Sequence, residues 1–528
     1  MRALHIIIMA SLPSTEDDSN VAEHDPSIKT DEPEPHGTIQ YSRQDSNHSL
    51  TASSRLQAYS DAIFSIIATV MILPIAHHEI KSHESLYETL GELSPLLVVY
   101  FMSFFVVSAA WAGHVWVFQT IANADDAIVL LNLGILMVVT FLPFSFTLLG
   151  NFVFFRLPIG IYSLCIIIIG LLQTFTVVYA FKEGERILTQ EIYTDPSKNK
   201  KRAALIQVLL TNPMICLVAT VVGAIDGAAG QALLLLLLFG QPVRKTVFWF
   251  YNKCKFRIGR TSLPDAEFIP DKFTNEVLSM ERVEAFSDGV FAIVATLIIL
   301  DICEDNVPTQ QELKDHDGDL VVALQKDWAV YLAYLGTFIT VGMLWFVHHS
   351  VCHFLLECNK LMSSFNTWSL ACIGVAPLGF KLTSQFALSD YAHNERIAIQ
   401  FNCVILFLAS IFQMMMFVTA LCKPQHRIHP SASYNGREHG YLTAKLSVYP
   451  CISLLIYFIS FHSDILSTDM FNFMQLGIPI FFILLKVIFN CLKKRKMKAI
   501  TEQSTSGYTI DDSSEDDLNR ECTRIRAV

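Results

Sequence analysis

Charge is the first thing this sequence is short of. Of its 528 residues, 16% are Asp, Glu, Lys or Arg, against about 25% in soluble domains, while 52% are hydrophobic. That deficit argues against a soluble globule and for a membrane protein. The 12 cysteines include no CxxC pair and no ordered spacing, so they read as small packing residues and a disulfide framework is not expected. Metal-ligand spacing is missing too. His77 and His78, like His348 and His349, are adjacent, and neighbours on a helix point to different faces. No Ser/His, paired-Asp or HExxH arrangement marks an intramembrane enzyme. A TVGYG-like carbonyl filter and an Arg-rich voltage-sensing helix are likewise absent. Nothing implies a cofactor or a nucleic-acid partner.

What is present is a series of long apolar runs, each near the roughly 20 residues a helix needs to cross hydrocarbon. Twelve spans are expected, near 56–76, 95–118, 127–149, 157–181, 203–225 and 229–250, then 283–302, 328–352, 361–388, 397–422, 441–462 and 470–492. The net charge of −11 sits mostly outside them and says little about ligands. Residues 1–54 are polar and rich in Ser, Asp, Glu and Pro, the composition of a disordered segment. The apolar stretch at the very start is too short for a signal peptide, and the sequon at Asn47 matters only if that segment faces a lumen. A linker is expected at 251–281 and a disordered tail at 493–528, with an acidic serine cluster at 511–517.

The spans are organised around a repeat. Residues 55–75 read RLQAYSDAIFSIIATVMILPI, and 282–302, 227 residues later, read RVEAFSDGVFAIVATLIILDI, with eleven of 21 positions identical. Repetition this close says the architecture is doubled. Tyr100, Phe104, Val107, Trp111, His114, Asn132, Pro143 and Phe146 recur as Tyr334, Phe338, Val341, Trp345, His348, Asn366, Pro377 and Phe380 at an offset of 234. Beyond the third span the match fades, with Gln173 and Gln413 a possible further pair. Six-helix repeats are therefore expected at 55–250 and 282–492. Lys and Arg gather in the connections after spans 4, 6 and 12, while Asp and Glu gather after spans 1 and 7. This places both termini in the cytosol. Six is even, so the repeats are parallel, related by an axis along the membrane normal.

At about 100° per residue, Asp61, Phe64, Ala68, Ile72 and Ile75 share one stripe of the first helix, and Ile66, Thr69 and Leu73 share another. The second copy keeps both, as Asp288, Phe291, Ala295, Ile299 and Ile302, and as Ile293, Thr296 and Leu300. Ionisable groups in a span need partners. Arg55, Ser60, Asp61, Trp111, His114 and Asn132, with Arg282, Ser287, Asp288, Trp345, His348 and Asn366, read as a polar clamp joining the first three helices of each half. A proton relay through Asp and His is the functional alternative. The second stripe is either an ordinary packed face or a permeation path. In a path, Ser65, Thr69 and Thr296 meet a partly dehydrated ion and Ile66 and Ile293 close the route by dewetting. Two touching helices leave no hole. Four copies around an axis can, and a dimer supplies four.

The Arg-x-x-x-[Phe/Tyr]-Ser-Asp pattern on the first helix of a six-span repeat resembles the transmembrane protein 175 family of potassium channels. SIIATVMILP at 65–74, ERVEAFSDGV at 281–290, AIVATLIILDICEDNVP at 292–308 and GREH at 436–439 carry the likeness, over roughly 50–495. It implies an endosomal and lysosomal leak-type cation channel, selective for potassium and passing protons when the lumen is acidic, setting organelle potential and pH. It also implies a homodimer with a pseudo-fourfold pore. Ile66 and Ile293 map onto the family's constriction, Leu73 and Leu300 onto further apolar rings, and Ser65, Thr69 and Thr296 onto pore hydroxyls. Tyr59 departs from the usual Phe, which the second copy keeps as Phe286. Ser65 against Ala292 makes any hydroxyl ring there two-fold. The expected fold is thus an all-α membrane protein with twelve transmembrane helices, whose permeants are potassium ions and protons. The main alternative is a cation- or proton-coupled secondary transporter on the same two-repeat plan. Against it stand the lack of a matched pair of Gly/Pro-broken helices and of a charged mid-membrane site. A purely scaffolding membrane protein is the last rival.

Overall fold

The computed structural model describes residues 51–76, 86–152, 155–239, 278–315, 319–326, 328–386, 392–422, 424–434, 436–462 and 464–506. The chain divides into two units, Met1–Ser49 and Leu50–Val528. The first lies outside the described residues, as do the acidic serine cluster and all but the last four residues of the expected 251–281 linker.

The second unit is helical apart from one two-residue strand pair and three isolated bridges among the described residues. Its first half contains α1 (Ser53–Val70), α2 (Leu86–Gln119), α3 (Asp126–Asn151), α4 (Arg156–Glu183), α5 (Lys198–Gly223) and α6 (Gly227–Leu234). The second half contains α7 (Met280–Asp305), α8 (Trp328–Cys352), α9 (Lys360–Ile373), α10 (Ala376–Phe386), α11 (Ala392–Leu421), α12 (His439–Ile459) and α13 (Asp464–Ser506). Ten helices among the described residues are long and apolar enough to cross a membrane.

The two remaining expected spans differ for separate reasons. Span 229–250 is described only as far as Phe239. Span 361–388 is broken into α9 and α10, neither of which is long enough alone. The break has a local cause. Pro377 has no N–H for the carbonyl of Ile373, and its ring crowds that carbonyl. One turn earlier, the hydroxyl of Tyr100 on α2 donates to Ala371 O at 3.1 Å, so Val375 N turns to Cys372 O instead. Gly374 makes room for this, since a Cβ there would overlap the Tyr100 hydroxyl. The corresponding Pro143 sits inside an unbroken α3. The proline is common to both copies, and the Tyr100 hydroxyl and Gly374 are what the split copy adds to it.

The tail expected to be disordered from 493 instead prolongs α13 to Ser506. Lys, Arg, Met, Ala, Glu and Gln there are good helix formers, and Lys493 pairs with Glu438 at 2.9 Å.

Three-dimensional contacts extend the repeat past the point where residue identities fade. Thr51 pairs with Ala124 and Leu278 with Cys358, so the entry to α1, and to α7, is laced to the connection following the next helix. Ile121 bridges Leu188, and Leu355 bridges Ile428. Asp125 caps α3 by accepting from Ile128 N, as Asn359 caps α9 by accepting from Met362 N, each satisfying an otherwise orphaned helix-start donor. Gln173 donates to Ala110 O at 2.8 Å, and Gln413 to Leu344 O at 3.4 Å. Each second contact repeats the first at fixed offsets, 227, 234 or 240 residues on. The halves meet chiefly along α1 and α7, whose contacts advance in the same direction, Arg282 beside Gln57 and Asp61, Gly289 beside Ser65.

Replacing Tyr100 by Phe leaves a buried carbonyl short of its donor, an expected loss of about 1–3 kcal/mol. Gly374→Ala displaces the same hydroxyl. The double variant is therefore expected to melt no lower than the worse single variant in detergent, and additive losses would show the two are not coupled.

Candidate functional site

Asp61 lies on the buried face of α1, 1% exposed, in surroundings where a lone carboxylate is untenable. Its partner is not Arg55. Six residues on one helix are about 240° apart, so Arg55 points away and stands exposed. The partner is Arg282 at the start of α7. Its Nη2 donates to Asp61 Oδ1 at 2.6 Å, and Nε approaches Oδ2 at 2.5 Å as a charge contact without hydrogen-bond alignment. Nη1 donates to Gln57 Oε1 at 2.8 Å, and Trp111 Nε1 donates to Asp61 Oδ1 at 2.7 Å. The Trp111 ring stacks on Phe286 of α7, 4.4 Å between centroids.

The same guanidinium faces His114 Nδ1 at 3.3 Å. Arg has only donors, so Nδ1 accepts and Nε2 carries the ring proton, which it donates to Asn132 Oδ1 at 2.8 Å. Asn132 Nδ2 in turn donates to Ser60 Oγ at 3.0 Å, and Ser60 donates to Leu56 O at 2.8 Å. Every link has a fixed sense, and the chain ties α1, α2, α3 and α7. The imidazole faces a cation on one side and an amide on the other, and so links α2 to α3.

The second copy is built alike but lacks its cation. Trp345 Nε1 donates to Asp288 Oδ1 at 2.8 Å, His348 Nε2 pairs with Asn366 Oδ1 at 2.8 Å, and Asn366 donates to Ser287 Oγ at 3.0 Å. No guanidinium of the described chain reaches Asp288, which is exposed together with Trp345. Cys352 Sγ lies 3.7 Å from the His348 ring, where the first copy has Phe118 stacked on His114.

The two stripes of the first helix fare differently in the two copies. Asp61, Phe64, Ala68, Ile72 and Ile75 are buried, whereas Asp288 and Ile299 are exposed and Ala295 is half-buried. On the other stripe Ile66 is 38% exposed, Ile293, Leu73 and Leu300 are half-buried, and Thr69 is buried. Thr69 and Thr296 spend their protons on backbone carbonyls of their own helices, and of the two only Thr296 is exposed. Ser65 does the same toward Ala62 O and packs into the space left by Gly289. Tyr59 is 52% exposed.

Sequence reasoning overlooked Gln57, which accepts from the key guanidinium, and Lys445. The latter is buried on α12, donates to Phe346 O at 3.2 Å and to Ser350 Oγ, and lies 3.1 Å above the Phe346 ring. A lysine inside an apolar run was its visible signal. Among the described residues no group of three or more His, Cys, Asp or Glu is placed to hold a metal.

Two copies of one helical unit, clasped by a buried ion pair inside an apolar bundle, define a polytopic membrane protein with an internal repeat. Residues 55–143 and 282–377 match the family described as the endosomal/lysosomal potassium channel TMEM175. The chain is 42% identical to the endosomal/lysosomal proton channel TMEM175 of Gallus gallus, over 83% of this chain and 87% of that protein. It is 38% identical to the Homo sapiens protein of the same name, over 84% and 88%. A crystal structure of a lysosomal potassium-selective channel TMEM175 homolog from Chamaesiphon minutus is 25% identical, covering 39% of this chain and 96% of that one with a TM-score of 0.32. This chain belongs to the TMEM175 family, which is a family of ion channels and not of enzymes.

Breaking a buried ion pair from one side costs about 3–5 kcal/mol, whereas replacing both partners with apolar groups is often neutral. Arg282→Met is therefore expected to lower the thermal midpoint of the purified protein sharply, and Asp61→Leu combined with it to recover most of the loss.

Proposed function

We propose that the protein is a leak-type potassium channel of endosomal and lysosomal membranes, also passing protons at acidic lumenal pH, in which two chains place four first helices around one pore. The observation that carries this is an unfinished contact. Inside one chain, Arg282, Phe286 and Gly289 of α7 meet Asp61, Trp111 and Ser65. Their counterparts in the other copy are Arg55, Tyr59 and Ala62, and Asp288, Trp345 and Ala292. All six counterparts are exposed, an arginine and an aspartate among them. On a single chain Arg55, Tyr59 and Ala62 lie on α1 whereas Asp288 and Ala292 lie on α7 and Trp345 on α8, so a second chain turned by a two-fold axis meets them reciprocally. This is the isologous pairing expected of a homodimer.

Continuity of the apolar faces supports the same arrangement. Met137, Phe141 and Phe144 on α3 are exposed, whereas their equivalents Ala371, Val375 and Leu378 are fully buried against the rest of the bundle. Phe338 is exposed where Phe104 is buried. Small residues at Gly289, Ala62 and Ala292 allow the close helix approach that membrane contacts favour.

In such a ring Ile66 and Ile293 form the constriction, Leu73 and Leu300 further apolar rings, and Thr69, Thr296 and Ser65 hydroxyl contacts along the path. Potassium is less strongly hydrated than sodium, so a partly dehydrating apolar ring penalises it less. The clustered Lys and Arg of the connections after spans 4, 6 and 12 favour a twelve-span topology with both termini cytosolic. The secondary-transporter alternative gains no matched pair of broken helices, since α3 is continuous where its counterpart divides into α9 and α10.

Replacing both Ile66 and Ile293 by Asn is expected to bring the potassium-to-sodium permeability ratio toward unity in bi-ionic reversal-potential recordings from organelle membranes. Unchanged selectivity would remove the isoleucines from the mechanism. The assembly is tested separately by charge exchange. Arg55→Asp and Asp288→Arg are each expected to yield monomers by light scattering, and the two together in one chain to restore the dimer.

A further inference from the structure

Helices α2 and α9 run antiparallel across the boundary between repeats. Tyr100 meets Ala371, and further along α2 Phe105 lies 4.4 Å from Trp368 between ring centroids. Beyond that aromatic contact, toward the start of α9, residues of both helices line open space. With α4 and α5 they enclose a cavity of about 400 Å³, inside the roughly 300–1,000 Å³ range of small-molecule sites. From Phe105 to Trp116 the wall of α2 rises about 16 Å.

Two donors on that wall have no partner: the hydroxyl of Ser108, which is 5% exposed, and the buried indole Nε1 of Trp116. Both line the cavity. A buried donor left unpaired costs about 1–3 kcal/mol, more where no water reaches it. An occupant that supplies acceptors offsets that cost. Facing them, α9 offers Lys360, Ser363, Ser364 and Thr367 to the same space, at the i, i+3, i+4, i+7 spacing of a single helix face. Lys360 is the one charged side chain among the described lining residues. It stands in the first turn of α9, where the helix start adds positive potential. Counting inward from the contact of Phe105 with Trp368, Lys360 lies about level with residue 113, one turn from Trp116. Ser108 lies deeper, opposite Ser364.

We infer that this inter-repeat cavity is a binding site for an anionic glycerophospholipid. Its phosphate lies between Lys360 and the Trp116 indole, an ester carbonyl accepts from Ser108, and an acyl chain runs past Phe105. The gradient decides for a lipid over a soluble anion: cation and indole toward the start of α9, hydroxyls in the middle and apolar side chains of Phe105, Ile166 and Leu209 in the wall. Basic pockets between membrane helices are known to take such headgroups.

The test is native mass spectrometry of the full-length protein titrated with dioleoyl phosphatidylserine, with dioleoyl phosphatidylcholine, oleate and inorganic phosphate as separate arms. Wild type is expected to retain phosphatidylserine in preference to the other three. Ser108→Ala with Trp116→Phe removes two hydrogen bonds and is expected to weaken retention about tenfold, since 1.4 kcal/mol is a factor of ten. Ala112→Leu, which fills the cavity, is expected to abolish it. Size-exclusion profiles establish that each variant is folded, and the Ser108→Ala variant alone serves if the larger change disturbs folding. Equal retention by the variants, equal binding of phosphatidylcholine, or retention of oleate or phosphate without phosphatidylserine would each overturn the assignment. The readout is bound lipid and is independent of conduction.

Discussion

An arginine and an aspartate held in contact within an apolar bundle constrain everything around them. Neither Arg282 nor Asp61 tolerates burial alone, and even paired they repay desolvation only if their remaining hydrogen-bonding capacity is used. Trp111 and Gln57 supply most of that capacity, and His114 takes one more donor. His114 then needs Asn132, and Asn132 needs Ser60. The chain of requirements fixes the rotation of α1, the register of α2 against α3 and the depth of α7. It converts two similar halves into one body, because the acid belongs to one repeat and the base to the other.

The halves are built from one plan without being interchangeable. Lacing of each first helix to later connections, caps on each third helix and glutamine braces recur at matching positions. The third helix departs, continuous as α3 and split as α9 and α10. Proline is present in both, and the split copy also receives the hydroxyl of Tyr100, a residue of the first repeat reaching into the second beside Gly374. The opposite end of that interface opens into the inter-repeat cavity. Close approach at Gly374 and open space near Lys360 therefore lie along one pair of helices.

Much of this was legible in residue order. Doubling, the identity of the polar cluster and its membership of Ser60, Asp61, Trp111, His114 and Asn132 follow from repetition, because intramembrane polar residues at matched positions need one another. Membership of the TMEM175 family was legible from the same motif, and similarity over more than four fifths of the chain shows it. Which arginine serves which aspartate was not legible. Both Arg55 and Arg282 precede an aspartate by six residues, and only the packing of α1 beside α7 sends the bond across repeats. Lys445 stood out as a lysine in an apolar run, but its partners on α8 did not, and the unpaired donors of Ser108 and Trp116 were hidden because the cavity they line is walled by other helices.

The sequence by itself determined a helical membrane protein written twice around an Arg-to-Asp motif, since composition, run length and periodicity are local properties that burial in lipid reads directly. Only the tertiary structure decided the pairing of charges between repeats, the break after Ile373 and the cavity between α2 and α9. Each of these depends on a hydroxyl, a guanidinium or a small side chain meeting a group far away in the chain. Distance in sequence carries no record of such meetings until the helices are packed.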